Sequence, residues 1–290
     1  MLIFLDLLAI FSLTNKEITM TITHAALLGI IQGFTEVLPV SSSAHLILIP
    51  KLMGWPESGI TFDVALHLGT FIALFIYFWR DSVDLVVNFF SGIKQGRFRT
   101  PAARLPLYII AGTIPAAVFG KTMEEPIENL FRQSPMLIAG LLIGFGILLA
   151  FADTIGAKRW KIDRINLKSA LLIGMAQCLA LFPGVSRSGI TITAALLIGF
   201  NRESAARFSF LLSLPIVAGA ALLKVGHLVK TGIPTGEAGI LLTGIATSAV
   251  FGYLSVALLL KLVQRHSLYP FVWYRLTAGI GFIGWYLVVR

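Results

Sequence analysis

Long apolar runs, separated by short clusters of charge, make up most of this 290-residue chain. A helix needs about 20 consecutive apolar residues to cross the hydrocarbon core of a bilayer. Six runs reach or approach that length, and we predict a transmembrane helix in each: 62–79, 105–120, 136–152, 207–223, 238–260 and 271–289. The pattern therefore predicts an all-α integral membrane protein with about six spans.

Two further apolar stretches, 24–53 and 169–200, are each about 30 residues long and are interrupted near their centres. The first contains Pro39 and the second contains Pro183-Gly184. A continuous helix of that length would overshoot the bilayer at about 1.5 Å per residue, and proline breaks the helical hydrogen bonding at mid-depth. We predict that each stretch is a re-entrant helix-loop-helix hairpin.

The charges between the runs predict an orientation. The segments 80–104 and 153–168 each contain five Lys or Arg residues, and such loops favour the cytoplasmic side. The segment 121–132 contains three glutamates and is predicted to be an outer loop. With this topology the hairpin at 169–200 enters from the cytoplasm and the hairpin at 24–53 enters from the opposite face, so the two point at each other.

A faint internal repeat relates the two hairpins at a spacing of 144 residues. The matching positions are Ala26-Leu27-Leu28 with Ala170-Leu171-Leu172, Pro39 with Pro183, and Ser42 with Ser186. We predict one membrane domain over 1–290, in which 1–19 is an extension without assigned function. Residues 20–152 and 153–290 would be inverted-topology repeats, with a site at the midplane between the broken helices.

Composition narrows the class of protein further. The chain is 57% hydrophobic and 13% charged, which is too little polar surface for a soluble domain of this size. The net charge of +9 is concentrated in short loops, as orientation signals are, and we expect no nucleic-acid partner. Cys178 is the only cysteine, so no intramolecular disulfide can form, and we interpret it as a packing residue.

The first hairpin carries unusual polar residues on both sides of Pro39. Gln32 and Glu36 are four residues apart on a helix, so their side chains share one face and can reach one ligand or ion. The alternative is a polar contact between helices. An unpaired carboxylate at this depth is costly, which favours a working role for Glu36.

Three serines and a histidine follow the break: Ser41, Ser42, Ser43 and His45. A helix start exposes unpaired backbone N–H groups and the positive end of the helix dipole, which together favour a bound anion such as phosphate. The serines are also typical helix caps, and this reading stays open for Ser41 and Ser43. His45 either transfers a proton or satisfies a hydrogen bond.

The second hairpin repeats this design with Ser186, Arg187, Ser188 and Thr191. A guanidinium within an apolar half-span needs an anion, and it matches phosphate with two parallel hydrogen bonds. A structural ion pair between Arg187 and Glu36 is the alternative. Gly184 and Gly189 would allow backbone to approach a ligand closely.

Two helix starts and one arginine predict an anionic head group at mid-membrane, with a lipid tail along the apolar surface. A pyrophosphate carries more negative charge than Arg187 can offset. We therefore predict a divalent cation, Mg²⁺ or Ca²⁺, held by Glu36 and Gln32 and bridging phosphate oxygens. Opposed hairpins also occur in carriers, so a polyisoprenyl-phosphate flippase or transporter is the rival prediction.

At these residues the chain resembles the undecaprenyl pyrophosphate phosphatase family, the bacitracin-resistance type of integral-membrane lipid phosphatase. The family's Glu/Gln-x-x-x-Glu motif matches Gln32 and Glu36, and its Leu-Pro-Val-Ser-Ser segment and His match residues 38–42 and His45. Its Pro-Gly-x-Ser-Arg-Ser-x-x-Thr motif is matched throughout residues 183–191. Many members carry Glu where this chain has Gln32, which shifts any anionic role to Glu36.

The resemblance implies a multi-pass enzyme of the bacterial plasma (inner) membrane. It would hydrolyse undecaprenyl pyrophosphate to undecaprenyl phosphate at a site opening to the outer side, with a divalent cation and as a homodimer. Ser42 would be the nucleophile and Glu36 or His45 its proton acceptor, although attack by water with Ser42 only a ligand stays open. The phosphate-binding residues would be Ser41, Ser43, Ser186, Arg187, Ser188 and Thr191.

Overall fold

The computed structural model describes residues 20–56, 58–94, 96, 98, 100–231 and 237–289. Across these ranges the chain is almost entirely helical, and the only extended pairing is an isolated bridge between Trp160 and Phe200. The all-α prediction is confirmed, and the predicted extension 1–19 lies outside the described residues. The helices are α1 (Ile22–Val37), α2 (Ser42–Met53), α3 (Ile60–Tyr77), α4 (Trp79–Lys94), α5 (Pro101–Arg132), α6 (Pro135–Ile155), α7 (Leu167–Cys178), α8 (Arg187–Ile198), α9 (Arg202–Thr231), α10 (Ala238–Arg265) and α11 (Tyr269–Val289).

Helices α1 and α2 form one helix-break-helix hairpin, and α7 and α8 form another. Pro39 lies in the break of the first, and Pro183-Gly184 lies in the break of the second, after a short 3₁₀ turn at Leu179–Leu181. The breaks are therefore where the sequence predicted them. The hairpin helices are 12 to 16 residues long, which at about 1.5 Å per residue is too short to span a bilayer.

The two hairpins carry similar capping residues at a spacing of 145. Equivalent capping residues stand in the same places: Thr21 and Asn166 in capping boxes, Ser41 and Ser186 at the second helix starts, and Gly54 and Gly199 at the left-handed helix ends. The predicted spacing of 144, which paired Ser42 with Ser186, is wrong by one residue. A break has no helical hydrogen bonds for proline to disrupt, so Pro39 and Pro183 can occupy adjacent positions of equivalent breaks.

The first helix of each hairpin packs along a long helix from the other half of the chain. Helix α1 packs along α10, its counterpart α7 packs along α5, and α6 packs along α11. Glycines allow these close approaches: a Cβ at Gly33 would lie 2.7 Å from the Gly252 nitrogen, and one at Gly174 would lie 2.1 Å from the Gly112 carbonyl oxygen. Backbone contacts of this kind are typical of helix packing in membranes.

We predict that Gly174→Ala destabilises the protein by about 1–3 kcal/mol, because its new methyl group would collide with the backbone of α5, which cannot rotate away as a side chain can. The measurement is the thermal midpoint of unfolding in detergent. Gly144→Ala is the matched control, since a Cβ on this helical glycine meets nothing within 4 Å. Equal midpoints for the two variants would contradict the prediction.

Four helical segments are long and apolar enough to cross a membrane: Pro101–Met123 within α5, and the whole of α6, α10 and α11. Helix α3 joined to α4 would be a fifth, although the two are bent by 75°. The remaining predicted span, 207–223, lies within α9. The described residues of α9 do not meet the same criterion of length and apolar character. The structure therefore confirms a multi-pass helical membrane protein with four to five such candidates.

Two segments predicted as loops are helical instead. Most of 80–104 is helix α4, with exposed apolar side chains at Val83, Val86, Val87 and Phe90 on one face. The segment 121–132 continues helix α5 to Arg132, and the side chains of its three glutamates lie outside the described set. The prediction of loops failed because a cluster of charges indicates where the chain leaves the hydrocarbon, but charged residues can continue a helix.

Candidate active site

The site is built where the two breaks meet. Ser41 and Ser186 each stand at a helix start with φ of 75°, a left-handed value that is uncommon for residues with a side chain. The Ser41 hydroxyl accepts a hydrogen bond from the Ala44 N–H at 3.5 Å, and that of Ser186 accepts one from the Gly189 N–H at 3.1 Å. The capping interpretation holds for Ser41, and Ser186 acts as a cap in the same way.

Hydrogen bonds across the chain tie the two breaks together. The Gly184 N–H donates to the Ser41 hydroxyl at 3.1 Å. In the other direction, the Ser188 hydroxyl donates to the carbonyl oxygen of Leu38 at 3.2 Å and reaches that of Glu36 at 3.5 Å. The starts of α2 and α8, far apart in sequence, are therefore neighbours.

The Glu36 carboxylate is the centre of this cluster and is largely buried. Its Oε1 atom accepts a hydrogen bond from Arg187 Nη2 at 2.6 Å. Its Oε2 atom accepts a hydrogen bond from the Ser42 hydroxyl and another from Gln32 Nε2 at 3.2 Å. The structure thus brings together Gln32, Glu36, Ser42 and Arg187, which the sequence singled out separately.

The ion pair between Arg187 and Glu36, which the sequence analysis held as an alternative to phosphate binding, is present. It engages a single nitrogen of the guanidinium, and among the described residues Arg187 makes no other side-chain hydrogen bond. A guanidinium carries five N–H donors in a fixed fork. The pair therefore leaves the remaining donors available, so the structural and ligand-binding interpretations of Arg187 are compatible.

His45 is held by two hydrogen bonds, neither of which involves Ser42. Its Nδ1 lies 2.7 Å from the Ser41 carbonyl oxygen and its Nε2 lies 2.7 Å from the Tyr274 hydroxyl, on which its ring stacks. Because a carbonyl only accepts, Nδ1 carries the proton and Nε2 accepts from Tyr274. Neither nitrogen contacts the Ser42 hydroxyl, which favours the hydrogen-bonding interpretation of His45 over proton transfer from Ser42.

The two outlying hydroxyls behave differently from one another. Ser43 is half-buried, and its hydroxyl lies 3.3 Å from that of Ser41 at the start of α2. Thr191 is fully buried, donates to the Arg187 carbonyl at 2.8 Å and lies 2.6 Å from the hydroxyl of Ser209 in α9. Thr191 therefore joins α8 to α9, and its contact with phosphate stays a prediction.

Two residues of the site were missed in the sequence. His67 of α3 places Nε2 3.5 Å from Glu36 Oε2, and its Nδ1 donates to the Asp63 carbonyl at 2.8 Å. Arg275 of α11 is fully buried and hydrogen-bonds to both breaks. Both lie inside predicted spans, where an ionisable residue is a functional candidate in its own right, and that signal could have found them.

The cation prediction can be compared with the donors present. No group of three or more His, Cys, Asp or Glu side chains lies together in the described part of the chain, so the protein alone offers no complete metal site. The Gln32 Oε1 atom, however, is buried beside Glu36 without a hydrogen-bond partner. A carboxylate and an orphaned amide oxygen fit a hard divalent cation whose other ligands come from substrate and water.

Comparisons with known proteins show what the chain is similar to. The family model for the bacitracin resistance protein BacA matches residues 25–281. A protein named undecaprenyl-diphosphatase from Geobacter metallireducens is 72% identical over 258 residues, covering 89% of this chain and 96% of its own. Proteins of the same name from Geotalea daltonii and Geobacter sulfurreducens are 69% and 66% identical, covering 90% and 93% of this chain and 96% and 100% of their own.

Proposed function

Because the chain belongs to the bacitracin resistance protein BacA family, we propose that it is an undecaprenyl-diphosphatase. It hydrolyses undecaprenyl diphosphate to undecaprenyl phosphate and inorganic phosphate, which recycles a lipid carrier for cell-wall synthesis and confers bacitracin resistance. The observation that carries the proposal is the contact of the Ser42 hydroxyl with the Glu36 carboxylate, beside the Arg187 guanidinium, at two adjoining helix starts.

The reaction begins with Ser42. Its hydroxyl oxygen attacks the terminal phosphorus of the diphosphate while its proton passes to Glu36 Oε2, the atom to which it already donates. The bond between phosphorus and the bridging oxygen breaks, and undecaprenyl phosphate leaves with the electron pair. Water then attacks the phosphoserine, which restores the Ser42 hydroxyl and releases inorganic phosphate.

Charge on the transferred phosphoryl group is stabilised from two sides. The free N–H donors of Arg187 reach its oxygens, as do the unpaired backbone N–H groups at the starts of α2 and α8. Ser43 and Ser188 border the same space, while Ser41 and Ser186 fix the helix starts that form it. Direct attack by water, with Glu36 as its base and Ser42 as a ligand, is the alternative that the experiments below test.

A divalent cation, Mg²⁺ or Ca²⁺, is part of the proposal. Glu36 and the Gln32 carbonyl oxygen would hold it, and a bound cation would neutralise part of the charge of the diphosphate. Gln32 supplies a neutral oxygen where many family members have a carboxylate. The protein would therefore need oxygens from substrate and water as further ligands of the cation.

We further propose a single membrane domain with about six spans and two re-entrant hairpins, in which 20–152 and 153–290 are inverted-topology repeats. Two observations support the repeat. The hairpins share cap positions, and α1 packs on α10 as α7 packs on α5, each on a helix from the other half of the chain. A site that opens to the outer side of the bacterial plasma membrane is also part of the proposal, and it is taken from the family resemblance. A homodimer belongs to the same proposal and rests on the family resemblance.

Phosphate release by the purified protein tests the proposed function. With farnesyl diphosphate in detergent, we expect release of inorganic phosphate, a fall of at least about tenfold on addition of EDTA, and recovery with excess Mg²⁺ or Ca²⁺. Boiled protein is the control. If vesicles containing the protein move a labelled polyprenyl phosphate between leaflets while no phosphate is released in either assay, the flippase alternative replaces the phosphatase.

A further inference from the structure

Arg275, in the second turn of α11, is the bulkiest of the fully buried side chains among the described residues, and it has no exposed surface. All of its hydrogen bonds end on backbone carbonyl oxygens, and among the described residues no carboxylate pairs with it. A buried charge without a counter-ion is costly. A protein keeps such a group where its hydrogen bonds have a specific use.

The acceptors show what that use is. Arg275 Nη1 donates to the Pro39 carbonyl at 3.1 Å and to the Val185 carbonyl at 3.1 Å, and Nη2 donates to the Gly184 carbonyl at 2.7 Å. These three peptide groups belong to the two breaks. Two further bonds, to the Leu141 and Leu142 carbonyls of α6, fix the guanidinium itself. One planar group therefore joins both breaks to a rigid helix.

One of these hydrogen bonds explains how the strained Ser186 is kept in place. A left-handed serine persists only where its surroundings determine it. The Val185 carbonyl belongs to the peptide bond that precedes Ser186, so its hydrogen bond to Arg275 fixes the plane on which the φ of Ser186 depends. In a trans peptide the N–H points opposite to the C=O. Anchoring Val185 on Arg275 thus turns the Ser186 N–H to the other side.

Room for the guanidinium comes from glycines on two other helices. A Cβ at Gly146 of α6 would lie 3.2 Å from Arg275 Cβ, and one at Gly189 of α8 would lie 3.0 Å from Arg275 Nη1. Both contacts are tighter than ordinary packing, so a methyl group at either position would press on the arginine. Gly146 lies in α6, outside both hairpins, and it therefore offers a way to disturb Arg275 without altering either break.

We propose that Arg275 is a positioning residue for the phosphatase reaction. It holds the two breaks so that the N–H groups of α2 and α8 converge on one diphosphate, and its charge adds to the positive potential of both helix starts. This inference rests on the proposed function. A positioning role acts on the transition state through peptide orientation, whereas the charge acts on binding, so variants can separate the two contributions.

The test compares Arg275→Lys with Arg275→Met in phosphate release from farnesyl diphosphate. Lysine keeps the charge but cannot reproduce five hydrogen bonds, so we expect kcat to fall about 10²-fold with KM within about threefold of wild type. Methionine also removes the charge, and we expect KM to rise about tenfold in addition. Arg265→Lys, at an exposed arginine ending α10, is the matched control and should match wild type.

Hydrogen–deuterium exchange gives a readout that does not depend on activity. In Arg275→Lys we expect faster exchange confined to peptides covering 38–45 and 183–189. Gly146→Ala leaves Arg275 in place, so it tests the proposal even if neither Arg275 variant folds. We expect its kcat to fall about fivefold, and we expect the kcat of the control Gly144→Ala to equal that of wild type.

Three results would overturn the proposal: a wild-type kcat in Arg275→Lys, a wild-type kcat in Gly146→Ala, or faster exchange spread evenly over the chain. A wild-type protein that releases no phosphate refutes the phosphatase function, while the exchange pattern still tests the positioning of the breaks.

Discussion

Replacing Ser42 with alanine is expected to lower kcat for phosphate release by at least about 10³-fold. The substitution removes the attacking oxygen but keeps Glu36, Arg187 and both helix starts, so we expect KM to change by less than about threefold. Steady-state release from farnesyl diphosphate measures both constants. Acid quenching of the wild type during turnover, followed by mass spectrometry, should also find phosphate on the peptide that contains Ser42.

Ser82→Ala is the control for this prediction. Ser82 lies in α4, outside the candidate site, and its buried hydroxyl has no hydrogen-bond partner among the described residues. We expect its kcat within about threefold of wild type. Near wild-type activity in Ser42→Ala would remove Ser42 as nucleophile and assign the attack to water, for which Glu36 is the base in reach. A phosphorylated Ser42 peptide together with an inactive Ser42→Ala variant would establish the covalent route.

The second large effect is expected at Arg187, where substitution by lysine should lower kcat/KM by about 10³-fold. Lysine retains the positive charge, but a compact ammonium cannot pair with Glu36 and also present a planar fork to two phosphate oxygens. We expect most of the loss in kcat, because charge on the phosphoryl oxygens is greatest in the transition state. The assay is phosphate release over a range of substrate concentrations, with stability measured alongside.

Arg202→Lys provides a matched comparison. Arg202 also makes a charged pair, donating to the two carboxylate oxygens of the buried Asp153 at 2.6 and 3.2 Å, but it lies outside the candidate site. We expect this variant to lose stability and to keep its kcat per folded molecule. If Arg187→Lys behaves in the same way, with lower stability and an unchanged kcat, then the Arg187–Glu36 pair is structural and does not serve phosphate.

Much of the site was predictable because it rests on local geometry. Gln32 and Glu36 share a helix face by their spacing, and the structure joins them at 3.2 Å. Pro39 and Pro183-Gly184 predicted the two breaks. A serine that follows a break is a typical helix cap, as Ser41 is. Arg187 was singled out because a charge in an apolar run requires a partner. Each of these inferences needed only neighbours along the chain.

The remainder depended on contacts between distant segments. His67 contacts Glu36 from α3, and the Thr191 hydroxyl contacts the Ser209 hydroxyl of α9. The sequence left two roles open for His45, because its partner Tyr274 lies 229 residues away. Helix α4 was missed because its charged residues resemble a loop, while its apolar face is visible only when the residues are placed on a helix. Tertiary packing decided each of these cases.

The pairing of Arg187 with Glu36 has a further consequence for the proposed reaction cycle. Glu36 lies 2.6 Å from the Arg187 guanidinium and stays paired with it while the other N–H donors of Arg187 hold phosphate. The carboxylate therefore offsets part of the positive charge that faces the released phosphate. An enclosed anion site would otherwise retain its product tightly, and this permanent partner lets the protein bind a highly charged substrate without being inhibited by what it releases.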